Sequence, residues 1–206
     1  TGAGSQAGVD EECDIHCIVH DENAYLQTGP NMKRGIEAHR KMDFVLSKAQ
    51  FLNTQALYSD IVLPVTTKWE VPGGLDASNR EFLYCYSKVT DPLYEAKTDA
   101  EINSLILDAL GLDSSKVYPF SEKQAFFNQI AGTTVVKEDS ATEYEPLVAI
   151  TEQDIKDWGV EGTPQEGRIS LKEFVGNGGY QVERKLGDRF SSYLGYASFI
   201  SDPVAN

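Results

Sequence analysis

The sequence is most informative at Phe51-Leu-Asn-Thr-Gln-Ala-Leu-Tyr-Ser-Asp-Ile-Val-Leu-Pro-Val-Thr-Thr-Lys-Trp-Glu70. Its middle, Asp60-Ile-Val-Leu-Pro64, is a short apolar run with β-branched residues. A run too short for an ordinary helix predicts a buried strand of an α/β sheet. Pro64 should end the strand, because proline has no N–H to donate to a neighbouring strand. The polar cluster 66–70 follows the carboxyl end of the strand, where open α/β sheets place their ligands.

The residues before this stretch predict a βαβ unit. Residues 13–20 indicate a strand, 21–30 a polar loop, 31–41 a helix with Pro30 at its start, and 42–47 a second strand. A right-handed crossover places loop 21–30 and the loop after Ser47 at one sheet edge, which suits a phosphate or nucleotide. The alternative is that both are ordinary βα loops, because the chain has no Gly-rich fingerprint there.

Further elements are predicted downstream. Residues 54–60 indicate one helical turn, 71–74 a turn, 75–81 a polar segment, and 82–86 a strand in which Cys85 is a packing residue. Thr98 and Glu101 form a capping box before a helix over 101–110, with one apolar packing face made of Ile102, Leu105, Ile106 and Leu110. Three more helices begin after oxygen-bearing caps and end near glycines; the caps are Ser121, Thr151 and Ser170, and the glycines are Gly132, Gly159 and Gly176. Residues 177–206 are aromatic and glycine-rich, and predict a hairpin or a packed tail.

Composition excludes several classes of partner. The net charge of −14 argues against binding to nucleic acid or to anionic membrane surfaces. The sequence contains no apolar run of about 18 residues, so we expect no direct membrane insertion. Three cysteines argue against a disulfide framework. Residues 1–12 lack the basic and apolar regions of a signal peptide and read as a disordered lead-in or a cut through a longer chain.

A metal site and a catalytic motif are both disfavoured. Cys13, His16, Cys17 and His20 form a Cys/His cluster, but on a strand Cys13 and Cys17 lie ~13 Å apart, too far to share a zinc ion. The chain has no nucleophile elbow, no phosphate-binding loop and no HExxH motif. We therefore predict no catalytic residue and no metal ligand in this chain.

Ordered segments of the sequence resemble the molybdopterin-dependent oxidoreductases of the dimethyl sulfoxide reductase family. The residues that carry this resemblance span 13–206; they are Asp21-Glu-Asn-Ala24, Pro30-Asn-Met-Lys-Arg34, Phe51 through Pro64, Glu70, Asn79-Arg80, Asp91 through Asp99, Ile150-Thr151, Gly167 through Ser170, Phe174 through Tyr180, and Phe199 through Pro203. The segment that ends in Asp-Ile-Val-Leu-Pro64 is the most specific of them.

The resemblance implies a cofactor-binding domain. In the family, this domain holds one guanine dinucleotide arm of a bis-molybdopterin cofactor that carries molybdenum or tungsten. Carried over by position, the cofactor-binding residues are Glu22, Asn23, Thr28, Ser47, Lys48, Gln50 and Asn79. Asp21 stands where the family usually has glycine, and Ala49 where members often place an aspartate against guanine.

The resemblance also implies that the chain is a fragment. Nothing in it matches the iron–sulfur cysteine motif, the metal-ligating residue or the final cofactor-binding domain of the family. We expect no cofactor and no turnover in the isolated chain. The expected partners are the rest of the parent catalytic subunit and, as a further candidate, an iron–sulfur electron-transfer subunit of anaerobic respiration. Export of the parent to the periplasm or cell exterior stays open.

Two hypotheses follow for the whole chain. The first is the molybdopterin guanine dinucleotide domain of an oxidoreductase; the second is a standalone, non-catalytic paralogue or assembly partner. The predicted fold class is α/β, a Rossmann-like parallel-sheet domain with a helical and irregular C-terminal extension. The predicted domains are a lead-in at 1–12, a dinucleotide-binding-like domain at 13–115, and an extension at 116–206.

Overall fold

A computed structural model describes residues 14–21, 25–78, 82–138, 143–182 and 194–195. The fold is mixed α/β, as predicted. The chain packs as two compact units: unit 1 comprises residues 1–67 and 92–103, and unit 2 comprises residues 68–91 and 104–206. This division by packing differs from the predicted one, and the domain ranges 13–115 and 116–206 stay a prediction.

Unit 1 is built on a three-stranded parallel sheet in the order β1-β2-β3. The strands are β1 (Cys17–Asp21), β2 (Phe44–Ala49) and β3 (Ile61–Pro64). The register aligns Asp21 with Lys48 and Ala49 with Pro64, so the carboxyl ends of all three strands meet at one edge. The three predicted strands are therefore present, and the apolar run at 60–64 ends at Pro64 as expected. The predicted burial of this run is wrong, because β3 lies at one end of the strand order and Ile61 is 46% exposed.

Three short helices connect these strands: α1 (Tyr25–Thr28), α2 (Met32–His39) and α3 (Thr54–Leu57). Helix α1 lies within 21–30, so the prediction that this whole range is a loop is wrong; Leu26, which is 1% exposed, packs this helical turn. Helix α2 begins one residue later than predicted, because Asn31 is its N-cap with φ 60° and its side chain accepts a hydrogen bond from the Arg34 N–H. Asparagine tolerates this left-handed conformation better than most residues. Pro30 therefore precedes the cap instead of opening the first turn. Gly35 makes room for α1, because a Cβ there would lie 2.7 Å from Leu26.

Two buried histidines join β1 to α2. The Nε2 atoms of His20 and His39 lie 2.8 Å apart, and Nδ1 of His39 lies 2.9 Å from the Gly35 carbonyl oxygen. His39 therefore donates from Nδ1 to Gly35 and accepts at Nε2 from the N–H of His20. Burial, followed by the neighbouring His39, lowers the pKa of His20, so His20 is favoured in its neutral form.

Helix α4 (Asp99–Ala109) begins with the predicted capping box. The Thr98 N–H donates to Glu101 Oε2 at 3.0 Å, and the Glu101 N–H donates to Thr98 Oγ1 at 3.2 Å. The predicted apolar packing face is wrong in part. Ile102 is 5% exposed, but Leu105 and Leu110 are 56% and 70% exposed.

Unit 2 contains the larger apolar core. An antiparallel sheet in the order β10-β5-β4 is formed by β4 (Gly73–Ser78), β5 (Phe82–Ser87) and β10 (Gly179–Gln181). The remaining strands are β6 (Thr134–Val136), β7 (Tyr144–Pro146), β8 (Val148–Ala149), β9 (Ile169–Ser170) and β11 (Leu194–Gly195). Strands β11-β6-β7 form an antiparallel sheet and β8-β9 a parallel pair.

The remaining helices of unit 2 begin at their predicted caps. Helices α5 (Glu122–Ala131), α6 (Glu152–Trp158) and α7 (Leu171–Gly176) follow Ser121, Thr151 and Ser170, and each cap accepts a backbone N–H. Phe126, Phe127 and Ile130 of α5 are buried in the core. Cys85 is buried there as well, as predicted. Gly159 ends α6 in the left-handed conformation that favours glycine.

Strand β4 differs from expectation. Residues 73 and 74, predicted as part of a turn, begin β4, which pairs with β5 over Gly73–Ser78. A Cβ on Gly74 would lie 2.3 Å from the Tyr86 hydroxyl oxygen, so the glycine fits a close approach on the neighbouring strand. Of the predicted tail, the structure describes residues 177–182 and 194–195; Phe190, Tyr193, Tyr196 and Phe199 lie outside the described residues.

Candidate functional site at the carboxyl edge of the parallel sheet

The candidate site is the edge of unit 1 where β1 and β2 end side by side. Parallel strands place their carboxyl ends together, and a ligand of an open α/β sheet binds beyond those ends. Of the predicted cofactor-binding residues, Thr28, Ser47, Lys48 and Gln50 belong to the part of the chain that the structure describes. Glu22, Asn23 and Asn79 lie outside it, and their roles stay predictions.

Lys48 is at the centre of this edge, with its side chain 1% exposed. Its ammonium nitrogen lies 2.5 Å from Asp21 Oδ1, 2.7 Å from Asp99 Oδ1 and 3.0 Å from Asn103 Oδ1. An ammonium group has three hydrogens, so these oxygens can accept all of them. A ligand could gain a hydrogen bond from Lys48 only by displacing one of these partners.

The electrostatics of this cluster keep Lys48 charged. Burial lowers the pKa of Lys48, but the hydrogen bonds with Asp21 and Asp99 and the charges of both carboxylates raise it by more, so its pKa lies above the ordinary value. Two carboxylates face one ammonium group, so the cluster has a net negative charge. Its own charge therefore does not attract a phosphate.

Ser47 is turned away from this cluster. Its hydroxyl is buried and lies 2.7 Å from Ser59 Oγ, which donates to the Gln55 carbonyl oxygen at 3.0 Å. In this arrangement Ser47 ties β2 to the segment after α3. Its predicted contact with a cofactor would require this hydrogen bond to open.

Thr28 and Gln50 are accessible at this end of unit 1. Both are exposed, Thr28 at the end of α1 and Gln50 directly after β2. The Gln50 amide nitrogen donates to the Thr66 carbonyl oxygen at 3.1 Å, which connects the loops after β2 and β3. These two side chains bring neutral hydrogen-bonding groups to the surface.

Sequence reasoning missed the contribution of residues 97–103. Lys97 extends the sheet beyond β3: its N–H donates to the Pro64 carbonyl oxygen at 3.3 Å, and its carbonyl accepts from the Thr66 N–H at 3.1 Å. The Lys97 side chain is exposed. Asp99 and Asn103 then contact Lys48 from the first turns of α4. The capping box predicted the helix, but no local pattern indicates that its start lies against β2.

A polar cleft in unit 2 holds a second ion pair. Arg168 donates from Nε to Glu145 Oε1 at 2.5 Å and from Nη2 to the Val136 carbonyl oxygen at 2.6 Å. Burial lowers the pKa of Arg168, but the interactions with Glu145 and then Tyr180 raise it above the ordinary value. These contacts join β6 and β7 to the residue directly before β9, so Arg168 has a structural role.

The described residues contain no group of three or more His, Cys, Asp or Glu side chains placed to hold a metal ion. Within the same residues, no helix has the length and apolar character needed to cross a membrane.

Comparisons with known proteins match part of the chain. It is 34% identical over 114 residues to the dimethyl sulfoxide/trimethylamine N-oxide reductase of Cereibacter sphaeroides, a match that covers 48% of this chain and 14% of that protein. A protein of Staphylococcus haemolyticus, provisionally named a formate dehydrogenase, is 32% identical over 97 residues, or 47% of this chain and 9% of that protein. A Staphylococcus aureus protein with the same provisional name is 32% identical over 82 residues, or 40% of this chain and 8% of that protein.

No protein-family model matches the chain. The matched regions span between 8% and 14% of these relatives. Part of this chain is thus similar to a small region of proteins that are named for oxidoreductase activities, which agrees with the resemblance found in its motifs.

Proposed function

We propose that this chain is part of a molybdopterin-dependent oxidoreductase of the dimethyl sulfoxide reductase type. In this proposal it holds one guanine dinucleotide arm of the molybdenum or tungsten cofactor and contributes no catalytic residue. The observation that carries the proposal is the parallel pairing of β1 and β2, because the register of Asp21 with Lys48 brings the two predicted cofactor loops to one edge. The proposal is also supported by the similarity of part of the chain to a reductase and to proteins provisionally named formate dehydrogenases.

The proposal gives the residues at this edge different roles. Thr28 and Gln50 offer exposed neutral groups, and Lys97 adds a positive charge on the segment that extends the sheet beyond β3. Lys48 stays with Asp21 and Asp99. We therefore assign the electrostatic contact with a pyrophosphate to Lys97, and to Lys48 the role of neutralising the carboxylates beside it. Glu22, Asn23 and Asn79 complete the proposed contacts, with Asn79 at the guanine.

The test is to identify the nucleotide that the native protein carries. The protein is purified from its source, denatured in acid, and the released nucleotides are separated and identified by mass. A guanine nucleotide in stoichiometric amount is expected, because acid cleaves a guanine dinucleotide cofactor at its pyrophosphate. Absence of any guanine nucleotide from a metal-loaded protein would contradict the assignment of this domain.

Variants of the native protein test the individual residues. Asn79→Ala and Lys97→Ala should each lower the guanine nucleotide content, because each removes a proposed contact. Lys68→Ala is the control, since Lys68 is an exposed lysine paired with Asp76 in unit 2. An unchanged content in Asn79→Ala would remove Asn79 from the proposed site.

The acidic character of the edge favours a second candidate function. Asp21 and Asp99 outnumber Lys48 there, and a cluster with net negative charge disfavours an anionic cofactor. In this alternative the chain is a non-catalytic paralogue or an assembly partner that keeps the fold without binding the dinucleotide. A native protein of 22.7 kDa that carries neither metal nor nucleotide would support it.

A further inference from the structure

Helix α2 depends on His39 for its place in unit 1. A helix of eight residues, Met32–His39, is too short to be stable by itself in water. Among these residues, all of which the structure describes, Gly35 and Ile36 are half-buried and only His39 is buried. The contact between His39 and His20 of β1 is therefore central to keeping α2 against the sheet.

This contact has room for one hydrogen between the two rings. The Nε2 atoms of His20 and His39 lie 2.8 Å apart, and Nδ1 of His39 already donates to the Gly35 carbonyl oxygen. If both rings were protonated, two N–H groups would point at each other across this distance. The ring centroids are 5.0 Å apart, so two positive charges would also repel. The doubly protonated pair therefore cannot keep the contact.

The described surroundings of the pair offer little compensation for a positive charge. Asp21 follows His20 on β1, but strand alternation turns its carboxylate to the opposite face, where it pairs with Lys48. Burial and then His39 lower the pKa of His20, and Asp21 raises it by less. Helices α1 and α3 carry no charged side chain, and Asp60 after α3 accepts the Val45 N–H. The charged side chains of α2 and its C-cap are all exposed; they are Lys33, Arg34, Glu37 and Arg40.

We propose that the His20–His39 contact is a pH-sensitive switch: acid opens it, α2 separates from β1 together with α1, and unit 2 stays folded. Helix α1 follows because Leu26, which is 1% exposed, packs against α2 at Gly35. Helix α1 ends at Thr28, one of the exposed groups of the candidate site, so opening removes one side of that site. The switch does not depend on which ligand the edge binds, and so it does not rest on the proposed function.

The effect should be confined to unit 1. Histidine is the side chain whose ordinary pKa lies between pH 5 and 8. The sequence has three histidines, His16, His20 and His39, and all of them belong to unit 1. The main apolar core, which includes Phe126 and Phe127, is made of residues of unit 2. A change from pH 7 to pH 5 should therefore leave that core intact.

Amide hydrogen exchange of the 206-residue chain at pH 7 and pH 5 tests the switch. The protection factor divides the exchange rate of an unstructured amide by the observed rate, which removes the pH dependence of the exchange chemistry itself. We would follow residues 36–40 of α2, the Gly29 N–H that donates to Tyr25 in α1, and residues 126–132 of α5 as the control. Fluorescence gives a second control, because the two tryptophans, Trp69 and Trp158, both belong to unit 2.

We expect the protection of α2 and of Gly29 to fall about tenfold or more from pH 7 to pH 5, because the opened histidines bind protons with their ordinary pKa of about 6.5. The protection of α5 should change by less than about twofold, and the tryptophan emission should stay constant. An α2 that is equally protected at both pH values, or unprotected already at pH 7, would overturn the proposal. Equal losses in α2 and α5 would also overturn it, since the whole chain would then be unfolding. Loss in α2 with full protection of Gly29 would overturn the effect on the candidate site.

Glutamine variants assign the effect to the pair. In His20→Gln the side-chain amide can donate to neutral His39 and can accept from protonated His39, so α2 should lose less than about threefold of its protection in acid. His39→Gln is an independent second variant, because its amide oxygen can accept from His20 whether or not His20 is protonated. His16→Gln is the matched control; His16 is an exposed histidine directly before β1, and this variant should keep the full loss. If both variants of the pair lose α2 protection in acid as the wild type does, the switch lies elsewhere and the proposal is wrong.

Discussion

The ammonium nitrogen of Lys48 lies 2.5 Å from a carboxylate oxygen of Asp21, at the adjacent ends of two parallel strands. Asp21 occupies a position where the family that this sequence resembles usually has glycine. An unpaired carboxylate at this position would repel a pyrophosphate. The contact with Lys48 offsets that charge within the protein. It also joins β1 to α4, because Lys48 contacts Asp99 and Asn103 as well.

Replacing Lys48 should destabilise unit 1. We expect Lys48→Met to lower the free energy of unfolding by about 2 kcal/mol. This cost is smaller than that of breaking a fully buried ion pair, because Asp21 and Asp99 are partly exposed and water can solvate their carboxylates. Chemical denaturation measures this value.

The control for Lys48 is Lys68, which pairs with Asp76 at 2.6 Å with side chains 61% and 53% exposed. Lys68→Met should change the free energy of unfolding by no more than about 0.5 kcal/mol, since exposed ion pairs contribute little. Equal effects of the two changes would show that the Lys48 cluster has no special structural role.

The His20–His39 pair should make stability depend on pH. Because the pKa of His20 is lowered in the folded state, the unfolded chain binds the proton more readily. The stabilisation is complete above the ordinary histidine pKa of about 6.5 and is lost as the pH falls below it toward the lowered pKa. His20→Gln should reduce this slope when unfolding is measured between about pH 7 and 5.

His16 provides the comparison for this pH dependence. Hydrogen bonds with Asp43 and then Asp14 raise the pKa of His16. His16 therefore stabilises the folded state at low pH, and this stabilisation is lost as the pH rises, which is the opposite of the effect of His20. His16→Gln should therefore leave the acid-side loss of stability in place. A pH profile that is unchanged in His20→Gln would exclude the buried pair as its source.

The capping box of α4 should contribute measurably to stability. Thr98→Ala removes the acceptor for the Glu101 N–H and should lower the free energy of unfolding by about 1 kcal/mol. Thr98→Ser keeps the hydroxyl and should recover most of that loss. If the serine variant is no more stable than the alanine variant, packing of the Thr98 methyl group would explain the effect instead.

The two sides of α4 should respond differently to truncation. Ile102→Ala should cost about 3 kcal/mol, because Ile102 is 5% exposed, and Leu110→Ala should change stability by about 0.5 kcal/mol or less, because Leu110 is 70% exposed. Thermal or chemical unfolding of the two variants measures the difference. A large loss in Leu110→Ala would mean that Leu110 is packed in solution.

Local patterns were sufficient to predict the presence of the strands of unit 1 and the capped starts of α4, α5, α6 and α7. The short apolar run at 60–64 and the oxygen caps at Thr98, Ser121, Thr151 and Ser170 act within a few residues of themselves, so the sequence displays them directly. Glycine-rich β4 was missed because Gly73 and Gly74 are typical of turns, whereas its pairing depends on a close approach to Tyr86 on β5.

The site was harder to predict than the fold. Lys48 reads as an exposed loop residue, and its partner Asn103 lies far along the chain, so its burial depends on tertiary packing. Leu105 and Leu110 lie on the same face of α4 as Ile102 by their spacing in the sequence. The spacing alone does not show which of these side chains other parts of the protein bury.

The size and metal content of the native protein test the central proposal most directly. An antibody raised against this chain would recover the protein from its source, and its mass and its molybdenum and tungsten content would be measured together. We expect a protein several times larger than 22.7 kDa that carries one of these metals. A metal-free protein of 22.7 kDa would contradict the proposal and favour a standalone, non-catalytic role.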